Sequence, residues 1–146
     1  MINKYMALAL NEAKKAYEKN EVPVGAVIVK NGEVIAKSHN LKLKTNQIIN
    51  HAEILAIIRA TTKIHDWRLN DCEMYITLEP CPMCAGAILQ SRIKKIYIGA
   101  KSNIYSNKKI ISDILANDDY YHQVEVEYTN NMECSKILSD FFSNKR

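Results

Sequence analysis

No stretch of this sequence is apolar for long enough to cross a bilayer, which takes about 20 consecutive residues as a helix. Nor does a charged leader with an apolar run and a cleavage site open it. These two absences make a cytoplasmic protein the expectation. Cysteine is scarce, four residues in 146, and two of the four stand as Cys81-x-x-Cys84. That is reducing-compartment usage with a metal-ligand pair, and it excludes a disulfide framework. Charge of one sign barely dominates: Lys+Arg 20 against Asp+Glu 16 leaves +4, which many small proteins carry, so charge alone does not identify a polyanionic partner. Internal repeats, low-complexity tracts and linkers are also missing. What remains is a chain with 47% hydrophobic residues, long enough to bury about two-thirds of its unfolded surface around one core. A single domain over residues 1–146 is expected.

Periodicity gives the elements. From Ile2 to Lys19, Met6, Ala9, Leu10, Ala13 and Tyr17 recur at helical spacing. Val24 to Val29 and Val34 to Ala36 flank the turn pair Asn31-Gly32 and read as a hairpin. His51 to Ile64 returns to helical spacing. Met74 to Leu78 and Ile96 to Ile98 are strand candidates flanking a helix that starts at Cys81, a crossover unit that places its strands parallel. After a less regular piece, Val124 to Tyr128 reads as a last strand and Met132 to Asn144 as a closing helix. The order implies an α/β layered domain with a mixed sheet.

The chemistry is concentrated in His51-Ala52-Glu53 and Pro80-Cys81-Pro82-Met83-Cys84. A structural zinc site closes its tetrahedron with four protein ligands, whereas a catalytic one uses three and leaves the fourth position to water. His51, Cys81 and Cys84 supply three. Glu53 is left over as a carboxylate for general acid/base work. Cys81 and Cys84, at i and i+3, share one face if a helix starts there, its N-terminal dipole helps keep them ionised, and Pro82 suits the first turn. Taken singly, His51, Cys81 and Cys84 read better as a core histidine and inert buried cysteines; the set, with Glu53 and the flanking blocks, is what carries the signal. Cys72 and Cys134 lack any ligand spacing and read as packing residues, and His39, His65 and His122 as surface or satisfied polar groups.

The H-x-E and P-C-x-x-C pair resembles the zinc-dependent nucleoside and nucleobase deaminases. The blocks Glu21-Val22-Pro23-Val24-Gly25-Ala26-Val27, Thr77 to Ile88, Ser91-Arg92-Ile93 and Leu138-Ser139-Asp140-Phe141-Phe142 narrow the resemblance to the bacterial tRNA-specific adenosine deaminases. That resemblance implies a three-layer αβα cytidine deaminase-like fold with a mixed, mainly five-stranded sheet, and one zinc per chain between the starts of the second and third helices. It also implies hydrolysis of the wobble adenosine of a tRNA anticodon stem-loop to inosine, with Glu53 as proton shuttle, and action as a homodimer. Asn40 and Ala52 would contact the substrate. Phe142, Lys145 and Arg146 at the terminal helix would contact RNA; of two adjacent phenylalanines on a helix at least one belongs in the core. Tyr120 and Tyr121 could stack on bases or simply pack.

Two segments depart from the family. Gln47-Ile48-Ile49-Asn50 stands where Asp-Pro-Thr-Ala is usual, and Lys101-Ser102-Asn103-Ile104-Tyr105-Ser106-Asn107 has no glycine where the family has several. Without glycine the second cannot use left-handed turns cheaply. Three alternatives stay open: a deaminase of free guanine, cytosine or a small nucleoside; a retired deaminase that binds RNA or scaffolds a partner, for which Glu53 would have no use; and a structural zinc module, which would need a fourth ligand.

Overall fold

The computed structural model describes residues 3–105 and 109–144. Helix α1 (Lys4–Glu18) is capped by Asn3, whose side chain accepts from the Tyr5 N–H. Strands β1 (Gly25–Lys30) and β2 (Glu33–His39) form the expected hairpin, with both Asn31 and Gly32 at positive φ, as a tight two-residue turn requires. A one-turn helix α2 (Lys42–Thr45) precedes α3 (Ala52–Ile64). Then come β3 (Cys72–Leu78), α4 (Pro82–Gln90), β4 (Lys95–Ala100), α5 (Ile110–Leu115), β5 (Glu125–Tyr128) and α6 (Met132–Ser143).

The five strands lie in the order β2-β1-β3-β4-β5. β1 is antiparallel to β2 and β3, while β3, β4 and β5 run parallel, so the sheet is mixed as expected. Alternation along the strands sends Ala26, Ile28, Met74, Ile76, Ile96 and Ile98 to one face, where α3, α4 and α5 cover them. Val27, Val29 and Tyr75 face the other way, beneath Met6, Ala9 and Leu10 of α1 and Cys134 of α6. Helices on both faces make the three-layer αβα arrangement. Each fully buried isoleucine of the larger core contributes about 1.5–3 kcal/mol.

Two glycines allow close approach. A Cβ at Gly25 would collide with the Ala9 carbonyl and crowd the Ala13 N–H, so α1 rests directly on the start of β1; one at Gly99 would strike Cys134 of α6. Two helices differ from the sequence expectation. Helix α2 lies between Asn40 and the departing segment that begins at Gln47, and α5 lies in the piece read as irregular. The motif-bearing helices are therefore the third and fourth. Both extra helices are too short to show periodicity, and α2 owes its N-terminus to a distant side chain: buried Glu21 accepts from the Leu43 and Lys44 N–H groups, at 2.9 and 2.8 Å.

Candidate active site

The carboxyl ends of β3 and β4 and the N-termini of α3 and α4 meet at one end of the sheet. His51 is the N-cap residue of α3 and Cys81 that of α4, with Pro82 in the first turn. Neither side chain caps its own helix, which leaves both free for other partners. The His51 ring Nδ1 lies 3.7 Å from the Cys81 sulfur and 3.4 Å from the Cys84 sulfur. All three ligand atoms lie within 4.8 Å of one another, and among the described residues no fourth His, Cys, Asp or Glu joins the group. The trio is electrostatically tied together. The hydrogen bond from the Cys84 thiol, followed by that of His51, pulls Cys81 down to about 4. The same bond and burial push Cys84 far up, and His51 is raised chiefly by its bond to Cys81.

Glu53 sits in the first turn of α3, 3% exposed, and its Oε1 has no hydrogen-bond partner. Burial pushes its carboxyl up to about 7. Asn40, 7% exposed just beyond β2, likewise has a buried Oδ1 without a partner. Buried polar atoms normally find partners, so two orphans in one cavity mark a place for something polar to bind. That cavity measures about 210 Å³. Val22, Val24, Asn40 and Lys42 form one side, and His51, Ala52, Glu53 and Cys81 another. Leu78, Glu79, Ser102, Ile104 and Tyr105 form the third. The Ser38 hydroxyl donates to the Ala52 carbonyl at 2.6 Å and ties β2 to the start of α3, beside the histidine.

Ala52 and Asn40, the residues expected at the substrate, both line this cavity. Phe142 is 52% exposed and lines an adjoining groove of about 1150 Å³ between α6 and residues 99–104, which shares Leu78, Ser102 and Ile104 with the cavity. Its neighbour Phe141 is the core member of the pair, 6% exposed and edge-on to Tyr17. Lys145 and Arg146 lie outside the described residues. Tyr120 and Tyr121 are exposed, but they precede β5, whose first residue pairs with Lys95 at the start of β4. Parallel pairing therefore puts them at the end of the sheet away from the site. His39 is a satisfied polar group between Glu12 and Lys19, His65 takes a left-handed conformation that ends α3, and His122 bonds the Ile93 carbonyl.

The two departures have physical solutions. Asn46 takes the left-handed conformation and Leu41 N–H donates to the Asn50 carbonyl, closing a loop that delivers His51. In the glycine-free segment no residue from 101 to 105 has positive φ; the first described one that does is Lys109. Side-chain acceptors hold it instead, as the Ser102 N–H donates to Glu79 and the Ile104 N–H to the Ser102 hydroxyl. Glu21, Glu79, Ser102 and Tyr105 are cavity-building residues that periodicity and motif spacing did not single out. Glu21 and Glu79 do belong to the quoted blocks, which was their one visible signal.

Three converging atoms that could hold a metal ion and a buried spare carboxylate, at the carboxyl ends of parallel strands in an αβα domain, are the arrangement of a hydrolytic deaminase. The family model of MafB19-like deaminases matches residues 2–146. A tRNA-specific adenosine deaminase of Bacillus subtilis (strain 168) is 45% identical over 97% of this chain and 89% of its own. A structure solved in work on A-to-I editing by tRNA:A34 deaminases at the wobble position of transfer RNA is 38% identical, with a TM-score of 0.85 over 92% of this chain and 98% of that one. A guanine deaminase from Bacillus subtilis is 29% identical, with a TM-score of 0.66 over 99% of this chain and 94% of its own. The chain belongs to the MafB19-like deaminase family, in its tRNA-specific adenosine deaminase branch. No helix among the described residues is long and apolar enough to cross a membrane.

Proposed function

We propose that this chain, acting as one domain over residues 1–146 in the cytoplasm, hydrolyses adenosine to inosine at the wobble position of a tRNA anticodon. The carrying observation is Glu53 Oε1, buried without a partner beside three converging ligand atoms in a cavity sized for a single base. The resemblance in sequence to a tRNA-specific adenosine deaminase supports the choice of substrate.

His51 Nδ1 and the Cys81 and Cys84 sulfurs fit zinc, one per chain, by donor type and number. When bound, that ion lowers the pKa of a coordinated water and so supplies a nucleophile near neutral pH. Asn40 Oδ1 orients the nucleoside and Ala52 forms part of the cavity wall against the base. Glu53 Oε1 takes a proton from the water as oxygen adds to C6 of the purine and delivers it to N1; it then takes the proton of the new C6 hydroxyl and passes it to the amino group, which leaves as ammonia as the C6 carbonyl forms. Water and adenosine are consumed; inosine and ammonia leave. A carboxyl held at about 7 by its buried site is poised to accept and return a proton at neutral pH.

Phe142, in the groove adjoining the cavity, would contact the flanking RNA, with Lys145 and Arg146 adding phosphate contacts. Apolar Leu43, Ile48, Ile49, Ile58 and Met83 stand exposed on and around α2, α3 and α4. Exposed apolar side chains on these neighbouring helices support the homodimer expected of the family.

A second reading, deamination of free guanine, is favoured by the likeness to the Bacillus subtilis guanine deaminase. The test is incubation of the purified protein with an anticodon stem-loop containing a wobble adenosine and, separately, with free guanine and cytosine. Inosine in the stem-loop is the expected product. Rapid turnover of guanine with an untouched stem-loop would replace the first reading with the second.

A further inference from the structure

The cavity wall contributed by residues 101–105 is unusual in having no glycine and no left-handed residue, so something other than backbone freedom must fix its path. Glu79 does this. Glu79 is 4% exposed at the end of β3, where a buried polar side chain needs partners for its oxygens. Oε1 accepts from the Ser102 N–H at 2.9 Å. Oε2 accepts from the Tyr128 hydroxyl at 2.6 Å, the short length of a charge-assisted bond. The Glu79 N–H donates in turn to the Ala100 carbonyl at 2.8 Å. One side chain therefore clamps the exits of three neighbouring parallel strands: β3 through its own backbone, β4 through Ser102, and β5 through Tyr128. From the clamp, the Ser102 hydroxyl accepts the Ile104 N–H at 3.1 Å, and the next two side chains, Ile104 and Tyr105, line the base cavity.

Tyr128 itself does not line that cavity. Its ring is partly exposed, with the Lys101 ammonium 5.3 Å from its centroid, and its hydroxyl alone reaches inward to Glu79. Removing the hydroxyl leaves Glu79 Oε2 without that donor, loosening the carboxylate that holds Ser102 and everything the segment carries.

We propose that Tyr128 is a positioning residue for substrate selection: through Glu79 it fixes residues 101–105 so that Ile104 and Tyr105 form a rigid wall of the base cavity. The proposal rests on the reading of the cavity as the base-binding site. It places the effect on substrate capture and discrimination, because neither wall residue touches the metal ligands or Glu53 in the manner needed for proton transfer.

Tyr128→Phe tests it, since it keeps the ring and deletes one oxygen. With zinc content and melting temperature close to the parent's, KM for the wobble-adenosine stem-loop should rise about tenfold, the scale of one hydrogen bond to a charged group. The kcat should change by less than about threefold. A second variant, Tyr105→Ala, and the double variant complete a cycle. If Tyr128 acts through the wall, the double variant loses less than the sum of the two single variants, because sites acting through a shared element are not additive. An unchanged KM in Tyr128→Phe, or fully additive losses in the cycle, would overturn the proposal. Should the parent deaminate guanine and not the stem-loop, the substrate reading has failed, and the same cycle run on guanine still decides the role of Tyr128.

Discussion

Replacing Glu53 by alanine should separate folding and metal holding from proton transfer. The side chain is buried at 3% exposure, Oε1 has no partner, and burial raises its carboxyl from 4.5 to about 7. At about 1.4 kcal/mol for each tenfold, keeping this group ionised where it sits costs the metal-free fold on the order of 3 kcal/mol. Truncation to alanine removes that cost and opens a small cavity, an opposing loss of about 1–3 kcal/mol. The two nearly cancel, so Glu53→Ala should unfold in denaturant within about 2 kcal/mol of the parent. His51, Cys81 and Cys84 already make a three-ligand set without Glu53, so zinc content by elemental analysis should be unchanged. Turnover, by contrast, should fall by about 10²–10⁴-fold, the scale of a lost general acid/base. Steady-state formation of inosine within a stem-loop, normalised to zinc, is the assay. Activity within tenfold of the parent would refute the assignment, since some other group would then be moving the proton. Loss of zinc along with activity would instead make Glu53 a ligand.

Cys84→Ser should lose most of its zinc together with activity, and full zinc occupancy by elemental analysis in that variant would contradict the ligand set. Glu12, buried on α1, is pushed up by burial, but donors His39 at 3.0 Å and Lys15 at 2.7 Å more than offset this and hold its carboxyl below the usual value. A depressed folded-state pKa means its stabilisation is fully present above 4.5 and is lost as pH falls through the folded value. Glu12→Gln should therefore cost about 1–3 kcal/mol at pH 7 and flatten the acid side of a melting-temperature profile; parallel profiles would show that the carboxylate contributes nothing. Gly25→Ala forces a methyl against the backbone of α1 and should destabilise by about 1–3 kcal/mol or more, whereas unchanged denaturant unfolding would mean that α1 does not rest on β1 as described. Phe142→Ala should weaken stem-loop binding with no change in zinc. Deleting residues from 141 onward is the poorer test, because it also removes the buried Phe141.

The parts of the fold legible in the sequence were those with a local cause. Asn31-Gly32 announces its turn because both residues must take positive φ. Pro82 and the flanking cysteines mark the start of α4, and apolar spacing marks α1, α3 and α6, whose buried faces are long enough to repeat. Helices α2 and α5 were not legible, being four and six residues long, too short for any period. The convergence of His51, Cys81 and Cys84 could be read, because metal chemistry asks for those residue types together. The rest of the cavity could not. Glu21 acts on Leu43 and Lys44, and Glu79 on Ser102 and Tyr128; these are partners more than twenty positions away that only the strand order brings into contact. The concern over the glycine-free segment illustrates this, since the residue that solves the problem sits on another strand.

The most direct test of the central claim is to run the reaction on a wobble-adenosine stem-loop in heavy-oxygen water and digest the RNA to nucleosides for mass spectrometry. Hydrolytic deamination at the site built from His51, Cys81, Cys84 and Glu53 is expected to yield one inosine per stem-loop, carrying one heavy oxygen on the purine ring. Adenosine recovered intact, or inosine without the label, would contradict it.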